Sequence, residues 1–198
     1  PLIERQLSSM SGYQRLRGSL AAAIAGNIID FNTGGHMPDL DALASTFREV
    51  LMQGFAIDNS RTLWSAMQRG GTVLILGDNA GETLFDIPLM RVFREHGWNI
   101  RYAVKGAPMM NDATVDDIRG SEIERIADVI TTGAWAHGVP LDMVSSEFLD
   151  ALRTCDLVIS KGQANLETFP DIQHRFSVET YYVLKAKCAH ISHIIGVH

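Results

Sequence analysis

The sequence predicts an α/β fold, a three-layer α/β/α arrangement with a mainly parallel, Rossmann-like sheet and a preceding helical amino-terminal segment. Two observations support this prediction. From Thr72 onward, short apolar runs rich in β-branched residues alternate with stretches of helical spacing. The first 70 residues instead carry helical patterns and turn signals. Strands separated by helices are typical of a parallel sheet covered on both faces.

The amino-terminal part is predicted to be helical from its small apolar residues and its caps. Residues 16–29 are rich in alanine and predict a closely packed helix. Asp39 and Asp41 are candidate caps for a helix over 40–52, and a further helix is predicted over 60–69 before a double glycine. We therefore expect residues 1–70 to form a helical subdomain.

The remainder is predicted to alternate between strands and helices. The predicted strands are 73–76, 100–104, 127–131, 157–160 and 180–184. The predicted helices are 83–96, 115–119, 145–153 and 187–195. Residues 71–198 are thus interpreted as an α/β domain that carries the candidate site. Because the chain opens with Pro1 and stops after an apolar run at 194–197, we expect native sequence to be missing at both ends, and the helical subdomain to be truncated.

Composition and charge argue against some classes of binding partner. The formal net charge is −6 and no lysine or arginine cluster is present, which argues against nucleic-acid binding. Cys155 and Cys188 lie far apart without ligand spacing, a pattern that suits a reducing cytosol, so we predict a cytoplasmic protein. No apolar run approaches the roughly 20 residues of a membrane span, so no membrane partner is expected.

Polar side chains follow three of the predicted strands. Asp78-Asn79 follows the first, Asn111-Asp112 the second, and Lys161–Asn165 the fourth. If the strands are parallel, all three clusters lie at the same edge of the sheet, where α/β proteins bind ligands. Two carboxylates and an amide oxygen suit a hard divalent cation, and the lysine would supply a positive charge for an anionic group such as phosphate.

Each cluster also has an interpretation without chemistry. The pair at 78–79 is a common turn and cap sequence, and the pair at 111–112 is able to cap the next helix. Lys161 beside a glycine is compatible with a solvated turn, and Glu82 with stabilisation of a helix amino terminus. Dinucleotide-binding, phosphate-loop and α/β-hydrolase signatures are absent from the sequence.

Three sequence blocks, taken together, closely resemble the DUF89 family of metal-dependent damage-control phosphatases, in its stand-alone microbial branch. The blocks are Gly77–Thr83, Asn111–Thr114 and Ile159–Glu167. Segments 25–31 and 184–188 resemble further family blocks, and the similarity extends from about Gly12 to the end.

The resemblance implies a site composed of metal ligands and substrate contacts. The implied metal ligands are Asp78, Asn79 and Asp112. The implied substrate and phosphate contacts are Asn27, Asn111, Gly162, Asn165 and Lys185. The expected cofactor is a divalent metal ion, Mg²⁺ or Mn²⁺, with Co²⁺ or Ni²⁺ as alternatives.

The first functional hypothesis is a metal-dependent phosphatase that hydrolyses phosphate monoesters of small, damaged or side-product metabolites such as sugar phosphates. In it Lys161 neutralises charge on the phosphoryl oxygens, and Glu82 or Asp30 is the candidate general base. An aspartyl-phosphate route through Asp78 is a less favoured variant of the same hypothesis. The second hypothesis is a non-catalytic module that binds a sugar phosphate or nucleotide, and the third is a metal-dependent lyase or transferase. The sequence assigns no oligomeric state.

Overall fold

The sheet is parallel throughout the part of the chain that the structure describes. The computed structural model describes residues 2–28 and 40–196. Its strands are β1 (Gly71–Leu76), β2 (Trp98–Val104), β3 (Asp128–Thr131), β4 (Leu157–Lys161) and β5 (Thr180–Val183). They are ordered β3-β2-β1-β4-β5, and every neighbouring pair is parallel. The predicted α/β fold is confirmed.

Helices precede the sheet and connect its strands. Those before it are α1 (Leu2–Ser8), α2 (Gly12–Ile28), α3 (Leu40–Gln53) and α4 (Ser60–Met67). Those after β1 are α5 (Thr83–Glu95), α6 (Val115–Ile118), α7 (Ile123–Ile126), α8 (Ser146–Thr154), α9 (Gln163–Phe176) and α10 (Ala189–Ile195). A 3₁₀ turn over Ala80–Glu82 leads into α5. The sequence analysis did not predict α7 or α9.

Local sequence explains where several of these helices begin and end. The Ser145 hydroxyl accepts the N–H of Phe148 at 3.1 Å, which caps α8. Gly97 follows α5 with φ at 78°, the left-handed conformation common after a helix end. The predicted cap Asp39 and the side chain of Asp41 lie outside the described residues.

The strands divide their side chains between two apolar clusters because alternate residues face opposite sides of a sheet. Val73 and Ile75 of β1 pack with side chains of α2, α4 and α5 on one face. Leu74 and Leu76 pack with side chains of α8 and α9 on the other. None of the described helices has both the length and the apolar character needed to cross a membrane.

Helix α2 joins the amino-terminal helices to the sheet. Leu16 and Leu20 belong to the apolar cluster that includes β1, whereas Ala21 and Ala25 pack with α1 and α3. A Cβ at Gly26 would lie 2.9 Å from the Cβ of Phe85 in α5, so the glycine permits a close approach of the two helices. This packing places the last turn of α2 at the carboxyl edge of the sheet. The predicted boundary at residue 70 remains a prediction.

Candidate active site

The candidate site lies where the strand order reverses. The chain runs outward from β1 through β2 to β3, and then returns to place β4 on the other side of β1. In such sheets the crevice beyond the carboxyl ends of the two central strands is the usual ligand site. Asp78-Asn79 follows β1 at this point, and Gly162 follows β4. The topology therefore brings the first and fourth strand ends together.

Backbone hydrogen bonds attach the loop after β2 to the same edge. The N–H of Ala80 donates to the carbonyl of Asn111 at 2.8 Å, and the N–H of Ala113 donates to the carbonyl of Asp78 at 2.8 Å. Asn79 and Asp112 form the isolated antiparallel bridge between the two segments. The three predicted ligands Asp78, Asn79 and Asp112 therefore lie on adjoining, hydrogen-bonded stretches of backbone.

The capping interpretation of the pair at 111–112 does not hold. Helix α6 has Thr114 as its N-cap, and Asp117 accepts the N–H of Thr114 at 2.8 Å. The buried carboxylate of Asp112 instead pairs with Lys105 at 3.4 Å. Asp112 is thus held at the site by a cation rather than used to begin a helix.

Two asparagine amides hold the carboxylates of the site. Asn27 Nδ2 donates to Asp78 Oδ2 at 3.0 Å and to the two oxygens of Glu82 at 3.1 and 3.0 Å. Asn79 Nδ2 donates to Glu82 Oε1 at 2.5 Å, which leaves the oxygen of this amide as the atom it can offer to a cation. The Oδ1 of Asn27 accepts the backbone N–H of Lys185 at 3.1 Å. Glu82 is only 1% exposed and lies at the start of α5, so the helix-terminus interpretation also fits its position.

Lys161 is fully buried, which excludes the interpretation of a solvated turn. Its Nζ lies 2.5 Å from Asp86 Oδ1 and 3.9 Å from Glu82 Oε2. Burial acts to lower the pKa of Lys161, but the charges of Asp86 and Glu82 outweigh it and the pKa is raised. Lys161 is therefore an ammonium group at neutral pH. Asp86 also accepts the hydroxyl hydrogen of Tyr102 at 2.8 Å.

Three residues around the site are not among those predicted from the sequence: Lys105, Asp86 and Tyr102. Lys105 is 5% exposed, pairs with Asp112 and donates to the carbonyl of Gly138. Burial lowers the pKa of Lys105, and the charge of Asp112 partly offsets this effect. Two signals are present in the sequence: Lys105 directly follows a predicted strand, as Lys161 does, and Asp86 lies one helical turn after Glu82.

The charges of this cluster do not balance. Within the described residues it contains four carboxylates, those of Asp78, Glu82, Asp86 and Asp112, against the two buried ammonium groups of Lys105 and Lys161, and the exposed Lys187 adds only a smaller effect on Asp78. Burial, followed by the charge of Glu82, raises the pKa of Asp78 to about 7. The protein alone thus disfavours the charged form of Asp78, and two further positive charges would offset the excess.

The oxygen ligands and the excess of negative charge fit a divalent cation. Carboxylate and amide oxygens are the ligands that Mg²⁺ and Mn²⁺ prefer. A cluster of three or more histidine, cysteine, aspartate or glutamate side chains arranged for a metal does not occur among residues 2–28 and 40–196. The predicted ligands are of a different kind, because they comprise two carboxylates and one amide. Their role as ligands remains a prediction.

The predicted substrate contacts surround the same edge. Asn165 is buried and its Nδ2 donates to the carbonyls of Gly77 at 3.2 Å and Lys161 at 2.8 Å, so it joins the ends of β1 and β4. Asn111 reaches the site through its backbone carbonyl, as described above. Lys185 has an exposed side chain, and its backbone N–H is the part that contacts the site. Asp30 lies outside the described residues.

Gly162 leaves room for the carboxylate of Asp78, and its replacement gives a testable expectation. Its backbone has φ at 77° and ψ at 169°, a region that is essentially restricted to glycine. A Cβ at this position would overlap the carboxylate of Asp78. We expect Gly162→Ala to destabilise the fold by about 1–3 kcal/mol and to displace Asp78, which would lower any metal-dependent activity.

Gly97→Ala is the matched control for that variant. Gly97 has nearly the same φ, 78°, but a Cβ there would meet no atom of the described residues within 4 Å. Urea denaturation and turnover should therefore separate the cost of a positive φ, which both variants share, from displacement of Asp78. Equal activity of the two variants would contradict the role assigned to the Gly162–Asp78 contact.

Comparison with protein families gives a match over nearly the whole chain. A family model described as the damage-control phosphatase ARMT1-like domain matches residues 2–198. The chain is 38% identical over 186 residues to an uncharacterised protein of Methanocaldococcus jannaschii. It is 36% identical over 176 residues to a damage-control phosphatase of Pyrococcus horikoshii, and 30% identical over 181 residues to a damage-control phosphatase of Archaeoglobus fulgidus.

The similarity extends to three-dimensional structure. A crystal structure of a DUF89 family protein from Pyrococcus horikoshii superposes with a TM-score of 0.82 at 34% sequence identity, covering 92% of this chain and 62% of that one. The three curated relatives are matched over 93%, 88% and 91% of this chain but over only 60%, 59% and 61% of their own length. The chain thus spans about three fifths of the length of the relatives it matches.

Proposed function

The chain belongs to the damage-control phosphatase ARMT1-like domain family, also called DUF89, and from that membership we propose that it is a divalent-metal-dependent phosphatase. Membership confirms the resemblance drawn from the three sequence blocks. The proposed substrates are phosphate monoesters of small metabolites, such as sugar phosphates. The observation that best supports the proposal is the excess of buried carboxylates beside a buried lysine at the switch point of the sheet.

In this proposal Asp78, Asn79 and Asp112 hold the metal ion through two carboxylates and one amide oxygen. A divalent ion at such a site polarises a phosphoryl oxygen and lowers the pKa of a bound water. Glu82 fixes the amide of Asn79 so that its oxygen is free to face the ion. Lys105 keeps the carboxylate of Asp112 in place from the opposite side.

The phosphate group is assigned to the edge of the sheet where β4 ends and α9 begins, and the buried Lys161 would act on it through its charge. Lys161 offsets the negative charge that increases on the phosphoryl oxygens as the ester bond breaks. Helix α9 begins at Gln163, directly after Gly162, so its first N–H groups lie at the same edge and favour an anion. Asn165 and Asn27 orient the group, and Asn111 and Lys185 are assigned to the substrate side of the site.

Glu82 remains our candidate for the group that takes the proton of the attacking water. Its carboxylate lies beside Asp78 and is oriented by the amides of Asn27 and Asn79. Direct attack by water is preferred over attack by Asp78, because a carboxylate engaged with a cation is a poorer nucleophile. The ester oxygen leaves as an alcohol and the phosphoryl group as inorganic phosphate.

Release of inorganic phosphate tests the proposal. We expect turnover of p-nitrophenyl phosphate and of a panel of sugar phosphates in the presence of Mn²⁺, Co²⁺, Ni²⁺ or Mg²⁺, and none in EDTA. Sugar-phosphate binding without turnover by any of these metals would instead support a non-catalytic binding module. The measurement is made on the chain of residues 1–198, with phosphate release followed for each metal separately.

A further inference from the structure

We propose that Asp86 and Tyr102 form a positioning pair that fixes the ammonium group of Lys161 and thereby keeps Asp78 available to a divalent cation. The inference rests on the proposed function, since it concerns the same site. Neither Asp86 nor Tyr102 belongs to the predicted ligands or substrate contacts. The pair acts through Lys161 and is assigned no contact with substrate.

Asp86 is the closer of the two carboxylates that lie within 4 Å of the Lys161 ammonium group among the described residues. Glu82 and Asp86 lie one turn apart at the start of α5, so their side chains lie on the same side of the helix. Lys161 Nζ lies 2.5 Å from Asp86 Oδ1 and 3.9 Å from Glu82 Oε2. The ammonium group is therefore held mainly by Asp86, on the side of Lys161 occupied by α5.

Tyr102 fixes the other oxygen of Asp86. Its hydroxyl donates to Asp86 Oδ2 at 2.8 Å, and its side chain is buried beneath α5 on β2. Burial and then the charge of Asp86 raise the pKa of Tyr102 well above its ordinary value, so the phenol is a neutral donor. A neutral donor stabilises the carboxylate without competing for Lys161. Hydrogen bonds of this kind gain strength in a water-free interior.

Loss of the pair would redirect Lys161 toward the metal site. Besides Asp86, the carboxylates that interact electrostatically with Lys161 are those of Glu82 and Asp78. An ammonium group freed from Asp86 would be attracted to the carboxylates of Glu82 and Asp78. It would then offset the negative charge that attracts a divalent cation to the site. Asp86 thus separates the positive charge of Lys161 from the charge of Asp78.

Tyr102→Phe tests the pair with the smallest change to the core. It removes one hydroxyl and keeps the ring, so we expect a folded protein whose dissociation constant for Mn²⁺, measured by titration calorimetry, rises about tenfold. Asp86→Asn should raise the constant further, by about 10- to 100-fold. The matched control is Tyr182→Phe, which deletes a hydroxyl that donates to Gln173 at 2.8 Å on the other face of the sheet. The control should bind Mn²⁺ like the wild type.

A double variant shows whether Tyr102 acts through Asp86. If it does, Tyr102→Phe combined with Asp86→Asn binds Mn²⁺ no more weakly than Asp86→Asn alone. If the losses of Mn²⁺ affinity in the two single variants add fully in the double variant, or if Tyr102→Phe binds Mn²⁺ like the wild type, the proposal of a positioning pair is overturned. If Asp86→Asn does not fold, the Mn²⁺ affinity of Tyr102→Phe compared with that of Tyr182→Phe still tests the positioning pair.

The outcomes also separate this inference from the proposed function. Mn²⁺ binding without phosphate release by the wild type overturns the phosphatase, whereas the affinities of the variants still decide the pair. Turnover by the wild type with unchanged Mn²⁺ affinity in Tyr102→Phe overturns the pair alone. Absence of Mn²⁺ binding by the wild type overturns both.

Discussion

Replacing Asp78 by asparagine is expected to reduce metal-dependent kcat/KM by about 1,000-fold or more, because each ligand contributes to several kcal/mol of charge stabilisation by the ion. The same result is expected for Asp112→Asn. The asparagine side chain keeps the shape of aspartate, loses the negative charge and replaces one of the two acceptor oxygens by an NH2 donor. Asp116→Asn is the matched control, since Asp116 is an exposed residue of α6. The kcat/KM of each of the three variants is measured from phosphate release in the presence of Mn²⁺.

The same variant should stabilise the protein in the absence of metal. Burial and the charge of Glu82 raise the pKa of Asp78 from 3.8 to about 7. The folded protein therefore holds this proton up to higher pH than the unfolded chain, so the free energy of unfolding falls as pH rises from about 4 to 7. At pH values above that range, Asp78→Asn in EDTA should raise the melting temperature by at least about 2 °C.

These two measurements together identify a metal ligand. A residue needed only for folding would lose activity and stability in parallel, whereas a ligand crowded by like charges loses activity and gains stability. Added Mn²⁺ should raise the melting temperature of the wild type and leave that of Asp78→Asn almost unchanged. Full turnover by Asp78→Asn, or an equal response of both proteins to Mn²⁺, would refute the assignment.

Lys161→Met is expected to lower the free energy of unfolding by about 3–5 kcal/mol, since it removes one partner of a fully buried ion pair. The variant leaves Asp86 and Glu82 buried without their nearest cation. Adding Asp86→Asn to it should recover a large part of the loss, because the unpaired charge is then removed as well. Urea denaturation of the two single variants and the double variant measures this coupling.

Arg119→Met serves as the control for the buried pair. Arg119 pairs with Asp116 at 2.7 Å, but both side chains are more than two-thirds exposed. Exposed ion pairs of this kind contribute little to stability, so the free energy of unfolding of the control should remain within about 0.5 kcal/mol of the wild-type value. A Lys161→Met variant as stable as this control would show that the buried pair contributes no net stability.

The strand ends could be predicted from sequence because the physics there is local. An apolar run that ends at Gly77 marks both a strand and its exit, and parallel strands place their exits at one edge. The same logic predicts from the sequence alone that Asp78, Asn79 and Asp112 lie on neighbouring segments. The prediction that they lie close together requires parallel strands but does not require the exact register of the strands.

The residues behind the site could not be predicted in this way. Tyr102 fits the apolar face of β2, and its hydroxyl gains a role only through the register that sets Tyr102 opposite Ile75 and under Asp86. Lys105 resembles an ordinary loop lysine until the loop carrying Gly138 covers it. Helix α9 was missed because its first residues form a polar cluster and Pro170 lies within it.

The hydrogen bond from the Lys185 backbone to Asn27 has a consequence for how the protein is made. It joins residues 158 positions apart in the chain, and the same Asn27 amide orients Asp78 and Glu82. Contacts of such long sequence separation form late, since loop closure must precede them. During synthesis, strands β1 to β4 are able to pair before Lys185 leaves the ribosome. The carboxylate cluster is therefore completed only after Lys185 has emerged, when strands β1 to β4 of its scaffold already exist.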